Sequence, residues 1–175
     1  MQLSTTSPEV QLASWSPEHR EALVTQANDR SVWRNLFDTF PHPYTAEDAD
    51  FWVKHTSEAD PSCHLAILVG GSVAGGVGIE VGTGTEAKTG QFGYWLGHSF
   101  WGRGIATVAA QAMVAHAKNA MPLARLQAPV FAWNPASMRV LEKAGFKREA
   151  VLRNSVFKDG QLIDSVLYAL ILGDA

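Results

Sequence analysis

Two glycines separated by one residue, Gly102 and Gly104, stand between a strand-like segment and the most regular helical pattern of the chain. The backbone can turn sharply there, so that successive N–H groups of residues 101–107 point at one spot. The helix that follows adds the positive end of its dipole. This combination favours binding of an anion such as a phosphate or pyrophosphate. Many strand-to-helix turns contain glycine for steric reasons alone. Taken by itself, this turn can therefore be either an anion-binding site or an ordinary structural turn.

A second segment, Asn134 to Phe146, changes the balance between these interpretations. It reads Asn-Pro-Ala-Ser-Met-Arg-Val-Leu-Glu-Lys-Ala-Gly-Phe, and it comes after the glycine turn and the strand segment Phe92 to Gly97. In this order and spacing the three segments resemble the GNAT superfamily of acyl-CoA-dependent N-acyltransferases. Within it they are most similar to the RimJ/RimL type, which acetylates the N-termini of ribosomal proteins. The resemblance extends from Val10 to Ile171.

The resemblance implies a GNAT fold of the α/β class, a mixed and mostly antiparallel twisted sheet of about seven strands flanked by helices. It also implies acetyl-CoA as the acyl donor and no metal. Amides of the glycine turn would bind the pyrophosphate of coenzyme A, and the preceding strand would pair with the pantetheine arm. The implied cofactor-binding residues are Tyr94, Trp95, Leu96, Gly102, Arg103, Gly104, Ile105, Ala106, Thr107 and Asn134. Trp101 replaces the Gln or Arg that is usual in the family, which changes a side-chain contact and leaves the backbone donors in place.

The resemblance also assigns Asn134 and Ser137 to the pantetheine and the thioester, as catalytic residues. Both have an ordinary structural interpretation, because Asn134 is a favourable N-cap and Ser137 lies in the first turn of the helix. Many superfamily members carry a tyrosine one turn further on that protonates the departing thiolate, but this chain has Val140, Leu141 and Glu142. Since a thiol with a pKa of about 8.5 is a tolerable leaving group, one hydrogen bond from Ser137 would suffice.

The attacking amine must be neutral, and this requirement separates classes of acceptor. At pH 7 an α-amino group with a pKa of about 7.7–8.0 is roughly one tenth neutral, whereas a lysine amine is neutral only about once in 2,500. Glu80, at a strand end where some superfamily members carry a catalytic carboxylate, is the candidate base or organiser of water. A solvent-facing structural acid is its alternative. Asp38, His42 and Tyr44 lie in the loop that lines the acceptor cleft of relatives, which predicts substrate contacts for them.

Regular elements must hold these segments in place. Apolar residues from Ile105 to Met113 recur with helical spacing and predict a buried helix face. The paired glycines at residues 70–71 and the Asp-Gly sequence at residues 159–160 predict two hairpin turns. Turn and capping signals predict strands at residues 10–13, 64–69, 72–80, 89–96, 124–131, 146–157 and 161–171, and helices at 17–28, 31–36, 45–56, from 105 and from 134.

Composition indicates an ordinary globular protein. The chain has 175 residues, 46% of them hydrophobic, which predicts a single domain over residues 1–175 with a core at about 10–172. Its net charge of −3 counts against nucleic-acid binding through bulk positive charge. Cys63 is the single cysteine, which excludes an intrachain disulfide and a cysteine-based zinc cluster and fits a reducing cytoplasm. We expect neither export nor a membrane partner, since no long apolar stretch and no signal pattern occur.

The sequence therefore predicts a cytoplasmic N-acetyltransferase that moves an acetyl group from acetyl-CoA to a primary amine by direct attack on the thioester. A protein N-terminus and a small-molecule amine both stay open as acceptors. The acceptor loop lacks an acidic cluster, which counts against polycations. A non-catalytic acyl-CoA-binding regulatory domain is the alternative from another class, and monomer and dimer both remain open.

Overall fold

Eight strands form one sheet in the computed structural model, which describes residues 1–60 and 63–173. In chain order the elements are β1 (Gln2–Ser4), β2 (Val10–Ser14), α1 (Arg20–Ala27), α2 (Arg30–Trp33), α3 (Ala46–Glu58), β3 (His64–Val69), β4 (Ser72–Val81), β5 (Thr89–Leu96), α4 (Ile105–Ala120), β6 (Arg125–Phe131), α5 (Pro135–Lys143), β7 (Lys147–Lys158) and β8 (Gln161–Ile171). The sheet order is β1-β2-β3-β4-β5-β6-β8-β7. The predicted mixed, mostly antiparallel sheet is confirmed.

The sheet has one strand more than the expected seven. The additional strand is β1, which pairs with β2 through only three residues, Leu3 opposite Leu12 at the centre. So short a segment carries too few residues for a period-two pattern to be recognised. Both predicted hairpins are confirmed, with Val69 opposite Ser72 across the paired glycines and Lys158 opposite Gln161 across the Asp-Gly turn.

Alternate residues of the central strands supply two apolar layers, one on each face of the sheet. Leu65 and Ile67 of β3 pack in the layer that contains the buried face of α4, whereas Ala66 and Leu68 pack in the layer that contains α1 and α3. This alternation follows from the strand geometry, in which successive side chains point to opposite faces. The sheet is therefore covered by helices on both sides.

The parallel pair β5 and β6 is held together at one end only. Residues Thr89–Gln91 pair with Arg125–Gln127, and no further pairs follow between these two strands in the described residues. From Phe92 onward β5 stays with β4, and from Ala128 onward β6 stays with β8. The strands therefore diverge towards the glycine turn and the start of α5, and an opening forms between them.

Among the described residues, no helix has both the length and the apolar character that a bilayer crossing requires.

Candidate functional site

Two clefts meet in the opening between β5 and β6. The first, here called the turn-side cleft, has a volume of about 440 Å³ and lies between the glycine turn and α5. The second, the aromatic cleft, has a volume of about 550 Å³ and lies between the strands and the α3 region. The residues that line both clefts are Asn35, Leu36, Tyr94, Trp95, Asn134 and Ser137.

The glycine turn forms one end of the turn-side cleft. Gly102 and Gly104 have φ angles of +74° and +78°, in the left-handed region that favours glycine. A Cβ atom built on either glycine would meet nothing within 4 Å, so the space beside the turn is open. Gly104 is the N-cap of α4, whose first N–H groups have no acceptor within the helix. The geometry is that of an anion-binding turn at a helix N-terminus.

The turn-side cleft has a positive charge balance. Arg139 and Lys143 line it, and its described lining residues include no carboxylate. The two basic residues lie four positions apart on α5 and therefore on the same helix face. These two residues are not among the predicted site residues, although their spacing within a clearly capped helix is a signal that the sequence carries. Arg103, which the family resemblance assigned to the cofactor, does not line the cleft and lies with its guanidinium 5.6 Å from the ring centre of Phe100.

The indole of Trp101 connects the glycine turn to the end of β5. Its Nε1 donates a hydrogen bond of 2.8 Å to the carbonyl oxygen of Leu96, and its ring lies 4.6 Å from that of His98. The side chain that departs from the family pattern thus has a structural contact here. It holds the turn in position relative to the strand that borders both clefts.

Asn134 and Ser137 lie where the two clefts join. The Asn134 Oδ1 accepts a hydrogen bond of 3.1 Å from the backbone N–H of Ser137, so the side chain of Asn134 caps α5. The hydroxyl of Ser137 lies 2.8 Å from the phenol oxygen of Tyr94. Burial raises the pKa of Tyr94 to about 12, so the phenol keeps its proton at neutral pH. The junction therefore holds two hydroxyl groups in hydrogen-bond contact.

The Tyr94 hydroxyl is a candidate functional group that the sequence analysis missed. The resemblance assigns Tyr94 to the strand that pairs with pantetheine, whereas the tyrosine acid of many superfamily members lies on the helix that corresponds to α5, where this chain has Val140, Leu141 and Glu142. Tyr94 and Ser137 are 43 residues apart in the chain, and no sequence pattern indicates that they meet. Only the divergence of β5 from β6 brings the phenol to the first turn of α5.

Glu80 lines the aromatic cleft together with a histidine that the sequence analysis did not consider. The Nε2 of His64 lies 3.3 Å from Oε2 of Glu80, whose side chain is exposed. Burial lowers the pKa of His64, and the nearby Glu80 opposes this effect without overcoming it, so the imidazole is neutral at pH 7. The hairpin register was a usable signal, because His64 is paired with Gly78 and is thus diagonal to Glu80.

Of the three predicted acceptor-binding residues, Tyr44 lines the aromatic cleft and the other two do not. Tyr44 is buried, which raises the pKa of its phenol, and its ring lies 5.1 Å from that of Phe40. Asp38 pairs with Lys158, a lysine only 2% exposed that needs a counter-charge. His42 stacks on Trp33, with ring centres 5.6 Å apart. These contacts direct the side chains of Asp38 and His42 to neighbours outside the cleft.

The chain resembles known proteins over the same residues that build the site. A family model described as an acetyltransferase (GNAT) domain matches residues 9–147. The probable N-acetyltransferase YjcK of Bacillus subtilis (strain 168) is 38% identical over 87 residues, which cover 50% of this chain and 48% of that protein. The ribosomal-protein-serine acetyltransferase of Escherichia coli (strain K12) is 35% identical over 85 residues, 49% of this chain and 48% of that protein. The chain thus spans about half the length of these curated relatives.

A solved structure shows the same fold over nearly the whole chain. It is the RimL ribosomal L7/L12 alpha-N-protein acetyltransferase in complex with coenzyme A, with a TM-score of 0.83 and 21% identity over 98% of both chains. The family model, in turn, covers the glycine turn, the strand before it and the segment that begins at Asn134. The resemblance that these segments indicated is confirmed, and the chain belongs to the GNAT acetyltransferase family.

Proposed function

We propose that this protein transfers the acetyl group of acetyl-CoA to a primary amine. The observation that carries the proposal is the opposite charge of two clefts that meet at Tyr94, Asn134 and Ser137. Arg139, Lys143 and a helix N-terminus border one cleft, whereas Asp48 and Glu80 are the charged residues among the described lining of the other. An anionic acyl donor and a cationic amine would enter from opposite sides and react at the junction.

The turn-side cleft fits coenzyme A by the chemistry of its lining. The open space beside Gly102 and Gly104 would take the pyrophosphate, which the backbone N–H groups and the α4 dipole would bind. Arg139 and Lys143 would add charge attraction to the phosphates. Backbone groups of β5 beyond Gln91, which β6 no longer pairs, would bind the amides of the pantetheine arm.

In the proposed reaction the neutral amine attacks the carbonyl carbon of the thioester directly. The C–N bond forms, the C–S bond breaks, the amine loses one proton and the thiolate of coenzyme A gains one. Tyr94, which keeps its proton, would donate to Ser137 Oγ and leave the Ser137 hydrogen free to donate to the sulfur. Glu80, hydrogen-bonded to the neutral His64, would take the amine proton directly or through water. Asn134 would hold Ser137 through the cap of α5.

We further propose a protein N-terminus as the acceptor, in a cytoplasmic enzyme. At pH 7 roughly one tenth of an α-amine is neutral, whereas a lysine amine is neutral about once in 2,500. An α-amine therefore demands less of a general base, and an exposed carboxylate is sufficient for it. The relative named ribosomal-protein-serine acetyltransferase supports a protein acceptor.

The experiment combines a thiol-release assay with mass spectrometry. A peptide with a free N-terminus and one internal lysine is incubated with acetyl-CoA, beside the same peptide with a trimethylated α-amine. We expect the acetyl group on the α-amine, no turnover of the blocked peptide, and a kcat/KM that rises with a slope near one up to about pH 8.

Three other outcomes are distinguishable. An acetyl group mainly on lysine overturns the N-terminal acceptor, and consumption of small amines alone overturns the protein acceptor. Binding of acetyl-CoA without any transfer across a panel of amines overturns the enzymatic proposal in favour of a regulatory acyl-CoA-binding domain.

A further inference from the structure

The aromatic cleft has walls that no step of the proposed reaction uses. Besides Tyr44 and Tyr94, the aromatic side chains that line it include Phe37, Phe40, Phe51, Trp95 and Phe131. Phe37 and Phe51 are 44% and 68% exposed, although large apolar side chains are usually buried. Its volume of about 550 Å³ falls within the range of small-molecule sites.

Several rings of the cleft are held by one another, which preorganises that part of its walls. Phe40 lies between Tyr44 at 5.1 Å and Trp95 at 5.4 Å, measured between ring centres. Phe37 packs edge-on against Phe131 at 5.3 Å. A ligand would therefore lose little free energy in ordering these side chains, and aromatic faces and edges are available for a flat group.

The charges of the aromatic cleft disfavour amines that carry a phosphate or a carboxylate beside the amino group. Its described lining contains Asp48 and Glu80 but neither lysine nor arginine. Arg34, next in the chain to the lining residue Asn35, lies 4.2 Å from the ring centre of Trp133, and Lys158 pairs with Asp38. A phosphate or carboxylate next to the amine would thus meet carboxylates and aromatic rings without a counter-charge, which is unfavourable.

We propose that the acceptor amine is carried by an aromatic or similarly flat apolar group and has no phosphate or carboxylate beside it. This inference rests on the proposed function and specifies its acceptor class. Two sources share the chemistry, a small arylalkylamine and the first residue of a peptide that begins with an aromatic side chain. The ammonium form is also attracted by aromatic faces on its way into the cleft.

Three acceptors separate the requirement for an aromatic ring from the requirement for no negative charge, and two more distinguish the two sources. Phenylalaninamide and alaninamide differ in the aromatic ring, whereas phenylalaninamide and phenylalanine differ in the negative charge. Phenethylamine and a tripeptide amide that begins with phenylalanine distinguish the two sources. Binding of each acceptor is measured by calorimetry without acetyl-CoA, and kcat/KM is measured with acetyl-CoA. The kcat/KM is expressed per concentration of neutral amine, so that differences between the pKa values of the acceptors do not affect the comparison. We expect phenylalaninamide to exceed alaninamide and phenylalanine by about tenfold or more in both quantities.

A pair of variants tests whether the cleft is the origin of the preference. Phe51→Ala removes an exposed ring of the cleft, and Phe157→Ala removes an equally exposed ring on β7 that does not line it, with 68% and 71% exposure. We expect Phe51→Ala to reduce the ratio of phenylalaninamide to alaninamide about threefold to tenfold, whereas Phe157→Ala leaves it unchanged. Both changes are at the surface, so neither is expected to prevent folding.

The outcomes distinguish this inference from the proposed function. Equal kcat/KM for phenylalaninamide and alaninamide, preference for phenylalanine over its amide, or equal effects of the two variants would overturn the acceptor class while acetyl transfer stands. Calorimetric binding of phenylalaninamide, with weak binding of alaninamide and phenylalanine but no transfer to any amine, would support the acceptor class and overturn the proposed activity.

Discussion

The phenol oxygen of Tyr94 lies 2.8 Å from the hydroxyl oxygen of Ser137, at the place where the two clefts of the molecule join. Tyr94 comes from β5 and Ser137 from the first turn of α5. Because burial raises the pKa of Tyr94 to about 12, the phenol keeps its proton at neutral pH, and either hydroxyl can donate in this contact. When the phenol donates, the hydrogen of Ser137 is available to a second acceptor, which in the proposed reaction is the thioester sulfur.

Ser137→Ala is expected to lower kcat more than it raises the KM for acetyl-CoA. A hydrogen bond to sulfur strengthens as negative charge develops in the transition state, and loss of such a donor costs on the order of 10- to 1,000-fold in kcat. Steady-state kinetics at saturating acceptor measures both parameters. A variant with the wild-type kcat would leave Ser137 with its place in the helix turn as its only role.

Tyr94→Phe tests the contact between the two hydroxyls. It keeps the ring and removes the phenol oxygen, and we expect kcat to fall about twofold to tenfold, the effect of one hydrogen bond. In the Ser137→Ala background the same change should have no further effect, because Tyr94 acts through Ser137. An equal loss in both backgrounds would show that Tyr94 acts on the reaction by another route.

Acetyl-CoA is expected to stabilise the fold, and Gly104→Val is expected to abolish this effect. A ligand at 100 times its Kd adds about 2.7 kcal/mol to the free energy of unfolding. The valine side chain would fill the open space beside the turn and also strain a backbone with a φ of +78°.

The matched control for this strain is Gly160→Val. Gly160 lies in the β7–β8 turn with a φ of +74° and equally open surroundings. Thermal unfolding without ligand should show both variants to be less stable than wild type. With millimolar acetyl-CoA, the melting temperature should rise for wild type and Gly160→Val and stay unchanged for Gly104→Val. An unchanged melting temperature of the unmutated protein with ligand would contradict the binding proposal itself.

Arg139→Gln and Lys143→Gln are expected to raise the KM for acetyl-CoA with little change in kcat. Each removes a positive charge from the turn-side cleft, and at an exposed position such a charge contributes a factor of about two to five. The effect should shrink at high salt, because exposed charges are screened. Lys147→Gln, outside the cleft, is the control. Equal KM changes in all three variants would indicate a general charge effect.

His64 is expected to make the fold less stable in mild acid. Because its pKa is lowered in the folded state, the unfolded chain takes up the proton first as the pH falls below about 6.5, and the free energy of unfolding decreases. His19 has the same direction of shift and contributes in the same sense. Denaturant unfolding between pH 7.5 and 5 should therefore show a smaller decrease for His64→Gln than for wild type. A decrease for His64→Gln that equals or exceeds that of wild type would refute the assignment.

Much of the fold could be predicted from local features of the chain. The hairpin turns at residues 70–71 and 159–160, the helical stripe that begins at Ile105 and the cap at Asn134 each depend on residues a few positions apart. Turn chemistry, capping and periodicity act over that range, so a sequence pattern suffices to recognise them. The family resemblance rests on the same short segments.

The arrangement of the candidate site depends on contacts between distant residues. The divergence of β5 from β6 brings Tyr94 to Ser137, and the buried charge of Lys158 draws Asp38 away from the cleft. Sheet order and side-chain packing decide such contacts, and neither leaves a periodic signal in the chain. Local segments of the sequence were therefore enough to indicate a phosphate-binding turn and an acetyl donor. The folded arrangement of the strands and helices decided the separation of charge between the two clefts and the aromatic walls of one of them.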